Sequence, residues 1–268
     1  MQKLKYLMIV LFLIFLSVIV GFIYSGQKQS KNERYVLATL YALVSGEFKA
    51  LQLQAYNIGK IKIDEYLLKN ELKGNEAVVV DIDETVLETF PFEAKMIIDN
   101  KVWPDGFQDY LQKEICPPVS GSLEFLKYVD SLGIKIFYVS NRTVAQIQTV
   151  MDNLKKYNFP QVNESHIFLK EKDSNKEPRR KIIEQNYNIL LLFGDNLADF
   201  SNIFSVKTNE ERNSLVLKNK KLFGNKFIIL PNASYGDWEG LVYYNNWKLT
   251  PQQMDSLRKA TLRRFVSF

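Results

Sequence analysis

The sequence is poor in the residues that many metal and nucleotide sites require. Its 268 residues include one cysteine and one histidine, which excludes an intramolecular disulfide, a cysteine-rich zinc site and a histidine-rich metal cluster. No two glycines have the G-x-G spacing of a dinucleotide-binding loop, and the G-x-x-x-x-G that begins at Gly21 is followed by Gln27 instead of the lysine of a Walker A loop. The chemistry of the chain therefore depends on other side chains.

The chain also lacks a strong excess of one charge. It has 35 Lys and Arg residues against 30 Asp and Glu residues, and the two signs are interspersed instead of forming the basic face of a nucleic-acid-binding protein. We therefore expect no nucleic-acid polymer as a partner. The hydrophobic content of 46% is typical of a globular protein with a substantial core.

A long hydrophobic run lies at the N-terminus. Lys3 and Lys5 precede an uncharged apolar stretch at residues 6–24, which has about the length that crosses a bilayer. We interpret residues 1–26 as a membrane anchor, with a cleaved signal peptide as the alternative, and residues 27–268 as the folded domain. The basic flank favours an N-terminus inside and a domain outside. We thus predict an exported protein of the cell envelope, on the extracytoplasmic face of the membrane.

Residues 27–268 alternate short apolar runs with amphipathic stretches. The apolar runs predict buried strands at 77–82, 134–139, 167–169, 189–193 and 227–230. Helical periodicity covers 35–70, 121–132, 144–157 and 177–187. This alternation predicts an α/β fold with a parallel, Rossmann-like sheet flanked by helices. The irregular, aromatic residues 88–118 interrupt it, and we interpret them, with the N-terminal helices, as a small helical or irregular cap.

Polar residues gather where the predicted strands end, which is the edge where such sheets bind ligands. They are Asp81, Asp83, Ser140, Asn141, Lys176, Asp195 and Asp199. Taken singly, each motif is also compatible with an ordinary turn, cap or solvated lysine. Together, the acids would repel one another at one edge, and Mg²⁺ with oxygen ligands would relieve that repulsion. A lysine and a serine beside the metal would complete a pocket for a phosphoryl group.

The order of these motifs resembles that of the haloacid dehalogenase-like (HAD) phosphohydrolases. The longer strings are similar to those of the bacterial class C nonspecific acid phosphatases: Asp81-Ile-Asp-Glu-Thr, Val139-Ser-Asn-Arg, Gly194-Asp-Asn-Leu-Ala-Asp and Leu230-Pro-Asn-Ala-Ser-Tyr-Gly. The resemblance extends from about residue 35 to about residue 245. The chain departs from that family because no cysteine follows the N-terminal apolar run to carry a lipid.

The resemblance implies a Mg²⁺-dependent phosphomonoesterase that works at acidic pH. Asp81 would attack phosphorus to form an aspartyl-phosphate, and Asp83 would protonate the leaving group and then activate water. The implied metal ligands are Asp81, Asp83, Asp195 and Asp199, and the implied phosphate-binding residues are Ser140, Asn141 and Lys176.

The substrate implied by the resemblance is a nucleoside 5′-monophosphate or another small phosphomonoester. In that family one aromatic ring from the cap and one from the segment after the last strand stack on the base, and Phe107 and Tyr235 occupy these positions. The alternative is that both rings close the core of the cap. Two other functions remain open, namely a different HAD-like phosphatase or phosphotransferase that acts on sugar phosphates, and a non-catalytic surface binding protein on the same scaffold.

Overall fold

A parallel sheet of five strands lies at the centre of the fold. Its strands are β1 (Glu76–Val80), β2 (Lys135–Thr143), β3 (Ile167–Lys170), β4 (Asn188–Gly194) and β5 (Phe227–Ile229). They are ordered β3-β2-β1-β4-β5. The computed structural model describes residues 2–26, 32–113 and 115–266. The predicted parallel sheet and its five strands are confirmed.

Helices on both faces of the sheet contribute to its two hydrophobic cores, and further helices precede the first strand and follow the last one. They are α1 (Gln2–Gly26), α2 (Val36–Val44), α3 (Gly46–Leu68), α4 (Phe90–Ile98), α5 (Phe107–Leu111), α6 (Ser122–Ser131), α7 (Ile147–Lys156), α8 (Glu177–Glu184), α9 (Asn209–Lys218), α10 (Asp237–Val242) and α11 (Pro251–Arg263). The helices predicted at 121–132, 144–157 and 177–187 correspond to α6, α7 and α8.

The sequence of β1 explains its central position. All five of its residues are buried, as expected of a strand covered on both faces. Val78 and Val80 belong to the core formed with α3, α6 and α7. Ala77 and Val79 belong to the opposite core, which includes residues of α8 and α9. The alternation of side chains along the strand thus anchors β1 between two hydrophobic layers.

Strand β2 is longer than the sequence predicts. The apolar run predicts an end at residue 139, but β2 continues to Thr143, and its register with β3 shifts between Val139 and Thr143. Ser140 and Asn141 therefore lie within an irregular part of the strand and not after it. Such irregularities redirect side chains beside active sites, and apolar periodicity does not reveal them because the residues involved are polar.

The predicted cap contains α4, α5 and an aromatic cluster. Leu87 pairs with Pro118 at the base of the insertion, which begins and ends at the same place beside the sheet. Inside it, the ring of Phe92 packs on Trp103, Phe107 and Tyr110 at centroid distances of 5.1–6.2 Å. Helix α2 packs on α4, as expected if the N-terminal helices contribute to the cap.

The predicted anchor at residues 1–26 is helical from Gln2 to Gly26. The side chains of residues 18–26 lie outside those described, as do residues 27–31. Within the part of the chain that is described, the structure contains no helix with the length and apolar character needed to cross a membrane. The anchor therefore stays a prediction.

Candidate active site

The sequence-predicted acids meet where the connections of the sheet change direction. From β1 the chain proceeds to β2 on one side, and it later returns to β4 on the other. Parallel α/β sheets bind ligands beyond the carboxyl ends of strands at such a switch point. Asp81 follows β1 directly, and Asp195 follows β4 directly.

Three carboxylates lie together at this edge. One oxygen atom each from Asp81, Asp195 and Asp199 lie within 4.8 Å of one another. Burial raises the pKa of Asp81 to about 7. The positive charge of Lys176 lowers this pKa, whereas the negative charges of Asp199 and Asp83 raise it further. Burial and the charges of Asp199 and Asp81 likewise hold the pKa of Asp195 well above its ordinary range. Both shifts arise first from burial, and the repulsion between the gathered acids adds to it.

A tight turn brings Asp199 back to the sheet. The Asp199 carboxylate accepts a hydrogen bond from the backbone N–H of Asn196 at 2.9 Å, which closes the 3₁₀ turn at residues 197–199. The side chain of Asp199 then lies over Gly194. A Cβ atom on Gly194 would be 2.4 Å from the Cβ and Oδ2 atoms of Asp199, so only glycine fits at this end of β4.

Lys176 is buried between the carboxylates. Its Nζ atom lies 2.6 Å from Oδ1 of Asp199 and forms a second ion pair with Asp81. Lys176 is 4% exposed, which excludes the solvated lysine that the sequence allows as the alternative. The ion pairs keep one positive charge beside the two acids for which the family resemblance implies the roles of nucleophile and metal ligand.

Asp83 is held by an arginine that the sequence analysis did not select. Nε and Nη2 of Arg142 donate to Asp83 Oδ1 at 3.1 and 2.7 Å. The Arg142 side chain is buried, and its Nη1 has no hydrogen-bond partner among the described groups. Arg142 follows Ser140 and Asn141 directly in the sequence, and this adjacency was the one feature of the sequence that could have indicated its place in the site.

The two predicted phosphate-binding residues on β2 have different surroundings. Ser140 is buried, and its hydroxyl accepts a hydrogen bond from the backbone N–H of Arg142 at 3.2 Å. Asn141 is exposed, and its Oδ1 accepts a hydrogen bond from Nη2 of Arg179 at 2.7 Å. Ser140 thus lies at the floor of the site, and Asn141 lies at its rim beside α8.

Phe107 and Tyr235 do not form a pair of facing rings in the structure. Phe107 is 7% exposed and packs on Trp103 with a centroid distance of 4.4 Å. The Tyr235 hydroxyl donates to Oε1 of the buried Glu84 at 3.0 Å, and among the described rings Tyr235 has no aromatic neighbour. These contacts agree with a structural contribution to the cap, and the predicted stacking on a base stays a prediction.

Asn232 is a second residue whose position the sequence did not reveal. It begins an N-x-Ser/Thr sequence, a pattern that occurs often by chance. In the structure its Nδ2 donates to Oδ2 of Asp195 at 2.8 Å. The loop after β5 therefore orients one of the clustered acids.

The donor set fits a hard divalent cation. The clustered ligand atoms are carboxylate oxygens, with no nitrogen or sulfur among them, and carboxylates at this spacing are typical ligands of Mg²⁺. The raised pKa values of Asp81 and Asp195 come in part from repulsion that a cation would offset.

Comparison with known proteins identifies a family and solved structures that align with most of the chain. Residues 19–238 match the model of the HAD superfamily, subfamily IIIB (acid phosphatase). The structure aligns with the class C acid phosphatase from Bacillus anthracis with a TM-score of 0.84 and 38% sequence identity, over 89% of this chain and 99% of that one. A tungstate-bound crystal structure of the class C acid phosphatase from the same organism aligns with a TM-score of 0.83 and 39% identity, over 89% of this chain and 98% of that one.

Curated relatives are more distant. The stem 28 kDa glycoprotein of Glycine max is 27% identical over 139 residues, which is 48% of this chain and 54% of that protein. The chain spans about half the length of the curated relatives that it matches.

Proposed function

The chain belongs to the HAD superfamily, subfamily IIIB, the acid phosphatases, and we propose that it hydrolyses small phosphomonoesters through an aspartyl-phosphate on Asp81 with Mg²⁺ as its cofactor. The observation that carries the proposal is the cluster of Asp81, Asp195 and Asp199 around Lys176 at the switch point of the sheet. With a divalent cation bound beside Lys176, this position would suit an anionic ester whose phosphorus faces Asp81.

Asp81 is the proposed nucleophile because it combines access to the sheet edge with a neighbour that stabilises its anion. The ion pair with Lys176 favours the carboxylate, which is the form that attacks phosphorus. Attack expels the alcohol, and water then cleaves the acyl-phosphate to release inorganic phosphate. Division of hydrolysis into two displacements lets the same pocket stabilise both transition states.

Asp83 is the proposed acid and base for these two steps. It lies two residues after Asp81, and its charge contributes to the raised pKa of Asp81, so the two carboxyl groups face the same site. In the first step it donates a proton to the leaving oxygen, and in the second it removes one from water. The two hydrogen bonds from Nε and Nη2 of Arg142 fix the orientation of the Asp83 carboxyl group.

The phosphoryl oxygens would be bound by Lys176, by the buried hydroxyl of Ser140 and by Arg142. The unpartnered Nη1 of Arg142 supports its inclusion, since a buried N–H group without an acceptor is costly and a phosphoryl oxygen would satisfy it. Asn141 would orient this set from the rim. Asp81, Asp195, Asp199 and the backbone carbonyl of Asp83 would hold Mg²⁺, which when bound neutralises charge on the carboxylates and the phosphoryl group.

We further propose that nucleoside 5′-monophosphates are among the substrates and that Phe107 and Tyr235 contribute to their recognition. The aromatic composition of the cap supports this, since Phe107 packs against Trp103, which is 61% exposed. A cap that presents aromatic surface favours substrates with a flat base over those without one. Sugar phosphates are the alternative class.

The proposed place of action is the extracytoplasmic side of the membrane, with residues 1–26 as an anchor or a removed signal. The two lysines before the apolar run at 6–24 support that orientation.

A panel of phosphomonoesters assayed with Mg²⁺ and with EDTA tests the proposed function. We expect hydrolysis of aryl phosphates and nucleoside monophosphates with Mg²⁺, loss of activity in EDTA, and a decrease in turnover of several orders of magnitude in Asp81→Asn. Full activity in EDTA would contradict the cofactor. An Asp81→Asn variant with a tenth of wild-type turnover would contradict the nucleophile, and an inactive wild type on every ester would favour the binding-protein alternative.

A further inference from the structure

Two adjacent arginines on α8 connect the loop of Lys176 to the two neighbouring parts of the site. Arg179 and Arg180 come three and four residues after Lys176. Adjacent residues on a helix project about 100° apart. Since α8 crosses the sheet between β3 and β4, one of these side chains can reach the end of β2 while the other reaches the turn after β4.

Arg179 binds the segment that carries the predicted phosphate-binding residues. Its Nη1 donates to the backbone carbonyl of Ser140 at 2.6 Å, and its Nη2 donates to Oδ1 of Asn141 at 2.7 Å. Nη2 also lies 3.2 Å from the carbonyl of Asn175, the residue before Lys176. One guanidinium thus joins the irregular part of β2 to the loop of Lys176.

Arg180 binds the turn that carries Asp199. Its Nη1 donates to the backbone carbonyls of Ala198 and Asp199 at 3.1 and 2.8 Å. Its Nη2 donates to Oε2 of Glu177 at 2.7 Å, which balances its charge. Arg180 is 3% exposed, so these bonds are made away from solvent, where their geometry is well defined.

We propose that Arg179 and Arg180 are positioning residues with separate targets: Arg179 sets the phosphate-binding segment at Ser140 and Asn141, and Arg180 sets the metal-binding turn at Asp199. The inference rests on the proposed function for what the two segments bind. Neither guanidinium is hydrogen-bonded to a carboxylate of the acid cluster, so Arg180 acts through the backbone of the turn, and Arg179 through the Ser140 carbonyl and the Asn141 amide.

Binding measurements on the full-length chain separate the two targets. Calorimetry gives the Kd of Mg²⁺ alone and the Kd of inorganic phosphate in saturating Mg²⁺, for wild type, Arg179→Gln and Arg180→Gln. Loss of a group that orients a ligand typically weakens binding about 10- to 100-fold. We expect a roughly tenfold or larger loss of phosphate affinity in Arg179→Gln with Mg²⁺ affinity nearly unchanged, and the reverse pattern in Arg180→Gln.

Two further variants keep the result interpretable. Lys181→Gln removes the same charge from the next, exposed residue of α8 and should change neither constant. Arg180→Lys retains the buried charge but reaches fewer acceptors. This variant replaces Arg180→Gln if that variant does not fold. It should still weaken Mg²⁺ binding selectively, by a smaller factor than Arg180→Gln.

Equal losses of both affinities in both variants, or no loss in either, would overturn the proposal, since a general structural contribution predicts the former and surface charge the latter. Because neither constant depends on turnover, a wild type that binds both ions without hydrolysing esters would contradict the proposed function and leave this inference to be decided by the binding data.

Discussion

At the scale of single residues, the site is a set of buried and half-buried charges whose partners come from distant parts of the chain. Asp83 is paired with Arg142, and Asp195 with Asn232. The predicted acids were recognisable because they are grouped in short motifs at strand ends. Their partners lie 59 and 37 residues away, and a single sequence contains no signal for contacts at that separation beyond the type of residue.

The first prediction concerns the two candidate aromatic residues. If their rings stack on a base, removal of one ring should reduce kcat/KM for 5′-AMP roughly five- to hundred-fold, with a much smaller loss for glycerol phosphate. We therefore expect this selective loss in Phe107→Ala and Tyr235→Ala. The measurement is steady-state kinetics on both esters at saturating Mg²⁺.

Tyr235→Phe is the matched control, because it keeps the ring and removes only the hydroxyl that donates to Glu84. It should retain the preference for 5′-AMP. Equal losses on the two esters in both alanine variants would mean that the rings only close the cap, as the 7% exposure of Phe107 would then explain.

The second prediction follows from the raised pKa values of the acid cluster. Because the folded state keeps a proton on Asp81 up to about pH 7 while the unfolded chain releases it near pH 4, the metal-free fold binds more protons in this window. Its free energy of unfolding should therefore fall as the pH rises from about 4 to about 7, by an amount on the order of 3 kcal/mol, or roughly 6–12 °C in Tm.

Thermal unfolding of the chelated protein at several pH values measures this effect. Asp195→Asn, which removes one of the repelling charges, should flatten the profile, and saturating Mg²⁺ should stabilise the wild type more at neutral than at acidic pH. Asp109→Asn changes an exposed acid of the cap and should leave the profile as it is. A Tm of the chelated wild type that does not fall across the window would contradict the repulsion argument.

At the scale of elements, the turn after β4 shows how a local sequence feature sets a functional geometry. The string Gly194-Asp-Asn-Leu-Ala-Asp contains a glycine, a cap residue and two acids, so the turn and its acids were predictable. The irregular end of β2 was not, because its polar residues gave no apolar periodicity to follow. Helix α8 was predictable, but the reach of its two arginines across the site was not.

The third prediction tests the close approach of Asp199 to β4. In Gly194→Ala the new Cβ would overlap Asp199 and push it from the cluster, so we expect weaker Mg²⁺ binding and a destabilisation of about 1–3 kcal/mol. Calorimetry and thermal unfolding measure the two effects. Gly46→Ala is the control, because its Cβ would meet no atom within 4 Å at the start of α3. If Gly194→Ala bound Mg²⁺ as tightly as the wild type, the close approach of Asp199 to β4 would not be required for metal binding.

At the scale of the whole molecule, the sheet order brings together residues that are far apart in the chain. Asp81 and Asp195 become neighbours because β1 and β4 pair in parallel. The strand alternation in the sequence predicts a parallel sheet, but it does not predict that these two strands are adjacent. The position of the cap was also predictable from the interruption at 88–118, and its base closes through Leu87 and Pro118. The sequence did not predict which aromatic surfaces of the cap are exposed, because a hydrophobic pattern does not distinguish a cap core from a ligand-binding face.

The most direct test of the account is the search for a phosphorylated Asp81. An aryl leaving group needs little protonation, so Asp83→Asn should still transfer the phosphoryl group from an aryl phosphate in Mg²⁺ but should lack the base for its hydrolysis. We predict that acid-quenched Asp83→Asn carries the mass of one phosphoryl group, located on the peptide that contains Asp81, and that Asp81→Asn carries none. Phosphate on another residue, or no adduct on Asp83→Asn while the wild type turns over the same ester, would contradict the proposed mechanism.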